Sequence, residues 1–248
     1  QKSLYSMSQS LVFNFTFDVS IISIPSELND PFGFEIPEIA QIASSEFQAF
    51  IKSEEPNWEY DFTSQRGKMF GVLVVEKTDK SLGYLGTMSG VFPGGKTCPQ
   101  FVPSVFDPSR DDYFINKGMT ELTEIGNTIK NSTNQTEIDE LTESRKQKSH
   151  DLQQKLFENY VFTNRKGIKK TVLDIFADSL HGNPPAAAGE CAAPKLLQYA
   201  FSNGLKPIAI AEFWWGNPSK NKEREPLGFY PACTDKCKPI LGYMFSES

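Results

Sequence analysis

The chain has 248 residues, 39% hydrophobic and 23% charged, which is enough to bury a core without disulfide staples, in one large domain or two small ones. No apolar run reaches the length of a membrane span, and the first twenty residues carry no basic stretch leading into a cleavage site. The net charge of −6 is unevenly spread: residues 1–144 carry 10 Lys/Arg against 21 Asp/Glu, and residues 145–248 carry 15 against 10.

Residues 1–10 read as a disordered leader, and Val12 to Val19 alternate at period two, as a strand or an extended edge segment does. Ile39 to Ile51 places apolar residues at 39, 42/43, 47 and 50/51, the spacing of an amphipathic helix closed by Pro56. Lys68 to Val75 is a continuous apolar run, expected of a strand covered on both faces, and it pairs across Thr78-Asp-Lys with a second strand, Leu82 to Ser89. A Pro/Gly-rich loop with Cys98 follows, from Pro93 to Pro108.

From Met119 to Tyr160 the text turns helical and polar. Between Lys130 and Asp151 only Ile138 and Leu141 are apolar, so this part is expected to protrude as a helical hairpin, with Asn131-Ser-Thr-Asn-Gln-Thr as its turn and Thr136 as a helix cap. Val161 to Gly167 reads as a strand and turn, and Val172 to Ala177 as strand or helix. His181 has no second histidine near it and is expected to serve a loop. A helix from Pro194 to Phe201, a buried strand from Leu205 to Trp215 and a helix from Cys233 close the chain. These elements predict an α/β fold: a mixed β-sheet flanked by helices over residues 11–248, with the hairpin inserted at about 119–160.

Three of the four cysteines fall in two clusters, each at an expected helix start: Gly189-Glu190-Cys191-Ala-Ala-Pro194 and Tyr230-Pro231-Ala-Cys233-Thr-Asp-Lys-Cys237. A thiolate is favoured at a helix N-terminus, and two such clusters facing each other make Cys191, Cys233 and Cys237 candidate metal ligands, with zinc the expected ion. The alternative is buried thiols packed as small apolar side chains. Cys98 is expected to be an ordinary residue unless it completes a four-thiolate site. Glu190 is a candidate proton carrier or a first-turn acid. Glu212, between Ala211 and Phe213 in an apolar strand, needs a partner, and Trp214 and Trp215 are candidate pocket aromatics. The basic residues Arg145, Lys146, Lys148, Lys155, Arg165, Lys166, Lys169 and Lys170 form a local excess that fits a phosphate backbone or a solvated face. Four cysteines are too few for a disulfide scaffold, a cytoplasmic location is expected, and the Asn14, Asn131 and Asn134 sequons are read as chance matches.

Several long motifs resemble the N-terminal extension of bacterial RluA-type pseudouridine synthases: Gly67-Lys-Met-Phe-Gly-Val-Leu-Val-Val75, Gly189-Glu-Cys-Ala-Ala-Pro-Lys-Leu-Leu197, Ala211-Glu-Phe-Trp-Trp-Gly216 and Phe229-Tyr-Pro-Ala-Cys-x₃-Cys-x-Pro-Ile-Leu-Gly242. The resemblance spans about Pro31 to Met244. It implies an RNA-associated accessory domain that positions rRNA or tRNA for a following synthase domain. The Arg-Leu-Asp segment that carries the catalytic aspartate of that family is absent, so this chain is not expected to isomerise uridine itself. A second resemblance, to zinc-dependent base and nucleoside deaminases, rests on the two cysteine clusters and on the order hairpin, helix, strand, helix. That family places a glutamate two residues after its first ligand, where this chain has Ala193, and uses a Cys-x₂-Cys pair where this chain has Cys233-x₃-Cys237. One added residue turns the second thiol by about 100° on a helix. The resemblance implies a zinc hydrolase whose catalytic glutamate is lost or relocated, with Glu190 as its expected replacement.

Overall fold

The computed structural model describes residues 11–58, 60–91, 98–106, 113–180 and 182–247. The expected leader at 1–10 and His181 lie outside them.

Helix α1 (Glu38–Glu54) comes first, then the hairpin β1 (Lys68–Glu76) and β2 (Leu82–Met88), and the helical hairpin α2 (Tyr113–Asn131) and α3 (Gln135–Phe157). A small ribbon, β3 (Val161–Thr163) with β4 (Lys169–Thr171), leads into the short helix α4 (Val172–Ala177). Helix α5 (Ala192–Ser202), strand β5 (Lys206–Trp215) and helix α6 (Thr234–Phe245) complete the chain. The main sheet has the order β2-β1-β5.

The fold is α/β with helices on both faces of the sheet. It departs from the expected mixed sheet, because every strand pairing among the described residues is antiparallel. A parallel pair needs a crossover into a neighbouring strand, and here the chain enters β5 from α5 running opposite to β1.

The two-sided burial read from β1 is observed. Phe70, Val72 and Val74 face α1, where Phe47 is fully buried and its ring meets Phe70, Phe101 and Phe213 at 5.3–6.5 Å. Leu73 and Val75 face the opposite side and pack with Leu196, Leu197, Ile240 and Leu241 of α5 and α6. Gly71 is the gap in the second face: a Cβ there would lie 2.9 Å from Ala192 Cβ, so its absence lets the start of α5 settle onto β1.

The polar hairpin spans 113–157, and its turn ends at Asn134, whose side chain accepts from the Thr136 and Glu137 amides. Asn134, two residues before the expected cap, serves because its short acceptor reaches the next turn's N–H groups. Lys148 pairs with Glu121 at 3.1 Å and the Arg145 guanidinium donates to the Leu122 carbonyl, so part of the basic stripe zips the hairpin to itself. Of the alternating segment 12–19 only Phe13 pairs, as a single bridge to Tyr84 at the β2 edge. Val19–Ile21 turns into a 3-10 helix capped by Asp18. No helix among the described residues is long and apolar enough to cross a membrane.

Candidate metal centre and its cleft

The two cysteine clusters meet. Cys191 stands just ahead of α5 and Cys233 just ahead of α6, both in extended backbone and neither thiol capping its own helix, so both sulfurs are free to face each other. The Cys191 and Cys233 sulfurs are 3.8 Å apart and those of Cys233 and Cys237 3.4 Å, and all three lie within 4.8 Å of one another. The Cys-x₃-Cys spacing closes because Cys237 sits one turn beyond an extended Cys233, which places both thiols on one side of the helix start.

Tetrahedral zinc with Zn–S bonds of about 2.3 Å separates its sulfurs by about 3.8 Å, and the two sulfur pairs at 3.8 and 3.4 Å stand close to that spacing, so the donor set fits such an ion. The thiols are coupled to one another: the neighbouring thiols Cys191 and Cys237 hold Cys233 low, the contact with Cys233 pushes Cys191 up to about 12, and contact with both pushes Cys237 up. All four cysteines are free, and Cys98 is packed on the α1 side of the sheet, across from the cluster. It does not complete a four-thiolate site, and among the described residues the ligand group ends with three.

Two first-turn amides of α5 are satisfied from outside the helix. The Ala192 N–H donates to Ser89 Oγ at 3.2 Å, and the Ala193 N–H donates to Glu212 Oε1 at 2.8 Å. Glu212 reaches over from β5, 8% exposed. Burial pushes its carboxyl up to about 7, with the charge on Cys233 adding to the rise and the Ala193 amide and Arg224 opposing it. Glu212 is thereby tied through the Ala193 amide to the first turn of α5.

Glu190 has a different setting. It is buried, accepts the Tyr160 hydroxyl and, at 2.9 Å, the Ser104 hydroxyl, and stands 3.7 Å from Lys195 Nζ. Lys195 is 2% exposed and donates to the Gly90 carbonyl at 2.9 Å. Burial pulls its ammonium down and Glu190 holds it up. Gly189, at φ +94°, brings the chain against the Tyr160 ring, where a Cβ would approach to 2.8 Å, and so sets Glu190 into this network. Glu190 thus has its partners in a closed polar cluster that locks the loop before α5.

The thiols and Glu212 open onto a cleft of about 840 Å³, lined also by Arg66, Lys68, Trp214, Arg224 and Lys236. Trp214 is held in place by its indole N–H on the Asn217 carbonyl, with the Arg224 guanidinium 5.6 Å above its ring. Trp215 does not line the cleft. It alternates to the α1 face and donates to Glu55 at 3.2 Å. The remaining basic residues of the expected RNA surface lie on α3 and the β3–β4 ribbon. Arg165 rests over Phe245, Lys155 over Phe114, Lys170 pairs with Asp178 at 3.0 Å, and Lys166 and Lys146 make long pairs with Glu247 and Glu143, while Lys169 is exposed. None of the eight lines the cleft.

The roles of Lys195, Ser89 and the cleft cations were not visible in sequence order, because each depends on a contact more than a hundred residues away or on the fold of an irregular loop. No family model, curated protein or solved structure matches this chain.

Proposed function

We propose that the chain is a zinc-dependent, deaminase-like hydrolase acting on a nucleobase or nucleoside, with Cys191, Cys233 and Cys237 on the metal. The observation that carries this reading is the convergence of three sulfurs from two helix starts, at zinc-ligand spacing, beside a buried carboxylate and at the floor of a cleft. Three protein ligands leave a fourth tetrahedral position, and zinc held in this way supplies Lewis acidity and activates water. The thiolate set also favours zinc over harder ions.

Glu212 is the proton carrier in this reading, in place of Glu190. Its Oε1 is committed to the Ala193 amide, so Oε2 would take a proton from water as the C–O bond forms and give it to the nitrogen as the C–N bond breaks, releasing ammonia. Glu190 keeps its partners in the Tyr160–Ser104–Lys195 cluster and holds the loop that carries Cys191. The order β1-β2 hairpin, α5, β5, α6 supports the same reading, since hairpin, helix, strand, helix is the order the deaminase resemblance rests on, with α2 to α4 between the hairpin and α5.

The test is metal content by plasma mass spectrometry on reduced protein, joined to a screen for ammonia release from bases and nucleosides. About one zinc per chain with turnover, and zinc without turnover in Glu212→Gln, is the expected result. Zinc with no turnover on any substrate would make the centre structural, and no metal would remove the reading.

A second reading, an RNA-associated accessory domain of an RluA-type synthase, is supported by the sequence motifs and by the exposed cations of α3 and the β3–β4 ribbon. Its test is salt-dependent binding of structured RNA that weakens on charge reversal at Lys166 and Lys169. Salt-insensitive binding would end it.

A further inference from the structure

We propose that the cleft takes a phosphate-bearing ligand, a nucleotide unit in preference to a free nucleoside, held by the cations around its mouth. The inference rests on the hydrolase reading above and adds the substrate class.

Five cationic side chains line the cleft, Arg66, Lys68, Lys220, Arg224 and Lys236, against three carboxylates, Glu190, Glu212 and Glu223. Two of those carboxylates are already engaged, Glu190 by Lys195, Tyr160 and Ser104, and Glu212 by the Ala193 amide. With the Cys233 thiolate counted beside the three carboxylates, the lining carries five cations against four acidic groups, on a chain whose net charge is −6. Among the described residues, none of the five makes an ion pair.

The cations come from three separate places: the entry to β1, the connection after β5 and the first turn of α6. Their grouping is therefore a product of the fold, and it shares one cleft with the thiol cluster, with Arg66 and Lys68 acting on each other as like charges. Lys68 is half-buried, and its ammonium is pulled down first by burial and then by the like charge of Arg66. Lys68 Nζ lies 4.0 Å from the Cβ position of Gly90, whose carbonyl already receives Lys195 Nζ. Like charges crowded at a concave surface focus a positive potential on it, and an anion relieves their repulsion.

Shape points the same way. A volume near 840 Å³ exceeds what a lone base needs and accommodates a base, a sugar and a phosphate. With the reacting base at the thiol floor beside Glu212, Lys220 and Lys236, which line the same cleft, are left to meet the phosphate. The same chemistry is offered by a free mononucleotide and by a nucleotide within a single strand.

The experiment is calorimetric titration of the reduced, zinc-loaded 248-residue chain with cytidine, cytidine 5′-monophosphate, adenosine, adenosine 5′-monophosphate and a seven-nucleotide single-stranded RNA. The monophosphates are expected to bind at least tenfold more tightly than their nucleosides in low salt, with the advantage shrinking at 0.5 M salt. The double variant Lys220→Ala/Lys236→Ala is expected to lose that advantage while keeping its zinc and its nucleoside affinity. Tighter binding of the RNA than of either monophosphate assigns the phosphate to a strand, and the converse assigns it to a free nucleotide. Equal affinity of nucleoside and monophosphate, or no binding of any phosphate probe, on a protein that carries zinc overturns this inference and leaves the metal centre standing. Failure to bind zinc at all overturns the reading beneath it.

Discussion

Glu212→Gln should separate stability from chemistry at this centre. In the metal-free chain, burial raises the Glu212 carboxyl from 4.5 to about 7. At 1.36 kcal/mol per pH unit, such a shift costs the folded state about 3 kcal/mol once the group is ionised. The sign follows from proton binding. Below pH 4 both folded and unfolded chains hold the proton and no cost arises. Between 4.5 and about 7 the folded chain holds a proton that the unfolded chain has released, so stability falls as pH rises, and above 7 the full cost is present. Glutamine keeps an acceptor for the Ala193 amide and carries no charge, so it removes the cost without removing the hydrogen bond. Thermal unfolding in chelator and reductant should show Glu212→Gln more stable than the parent by roughly 6–12 °C at pH 8, with the two converging near pH 4. In the hydrolase reading proposed above, the same variant loaded with zinc should lose at least a hundredfold in turnover. A variant equally or less stable at pH 8, or a gain that does not change with pH, would refute the assignment of an electrostatic cost to this carboxyl.

Cys191→Ser removes one of three sulfurs and should reduce bound zinc from about one per chain to a small fraction under mild chelation, read by plasma mass spectrometry. Retention of a full equivalent would exclude Cys191 as a ligand. Gly71→Ala brings a methyl to 2.9 Å from Ala192 Cβ, and overpacking of this kind should cost about 1–3 kcal/mol in denaturant unfolding. Tyr160→Phe removes the hydroxyl that Glu190 accepts and should cost about 1–3 kcal/mol, with zinc retained because no sulfur is touched.

Local pattern carried the regular elements well. The apolar spacing of 39–51 became α1 at Glu38–Glu54, the unbroken run from Lys68 became β1, and the polar text after Met119 became the α2–α3 hairpin. Strand direction is where such patterns stop. A run such as Lys68 to Val75 shows burial on both faces but says nothing of strand direction, so the antiparallel β5 neighbour was invisible in it. The site was half legible for a similar reason. The three thiols announce themselves by residue type, whereas the carboxylate beside them does not. Glu190 adjoins Cys191 in the chain, yet its loop turns it toward Tyr160. Glu212, twenty-one residues downstream of Cys191, is delivered to the α5 amides by the register of β5 against β1. Trp214 and Trp215 divide in the same manner, since the alternation of a strand sends neighbours to opposite faces.

The position of the carboxylate has a physical reason. Ala193 is fully buried in the cluster shared by α5, α6 and the sheet, with Leu196, Leu197 and Ile240, so its side chain belongs to the core, while its amide donates to Glu212. A glutamate at 193 would carry its charge into that apolar layer without a partner, at a cost of several kcal/mol. The amide still needs an acceptor, as every first-turn N–H of a helix does. Glu212 answers both conditions. It supplies the acceptor, and by taking the bond with one oxygen it fixes the other beside the sulfurs of two helix starts. What the chain gives up in burial energy at Glu212 it recovers as a defined start for α5, which is the element that presents Cys191. Cap, carboxylate and ligand are therefore one unit, and a substitution at any of the three should be felt at the other two.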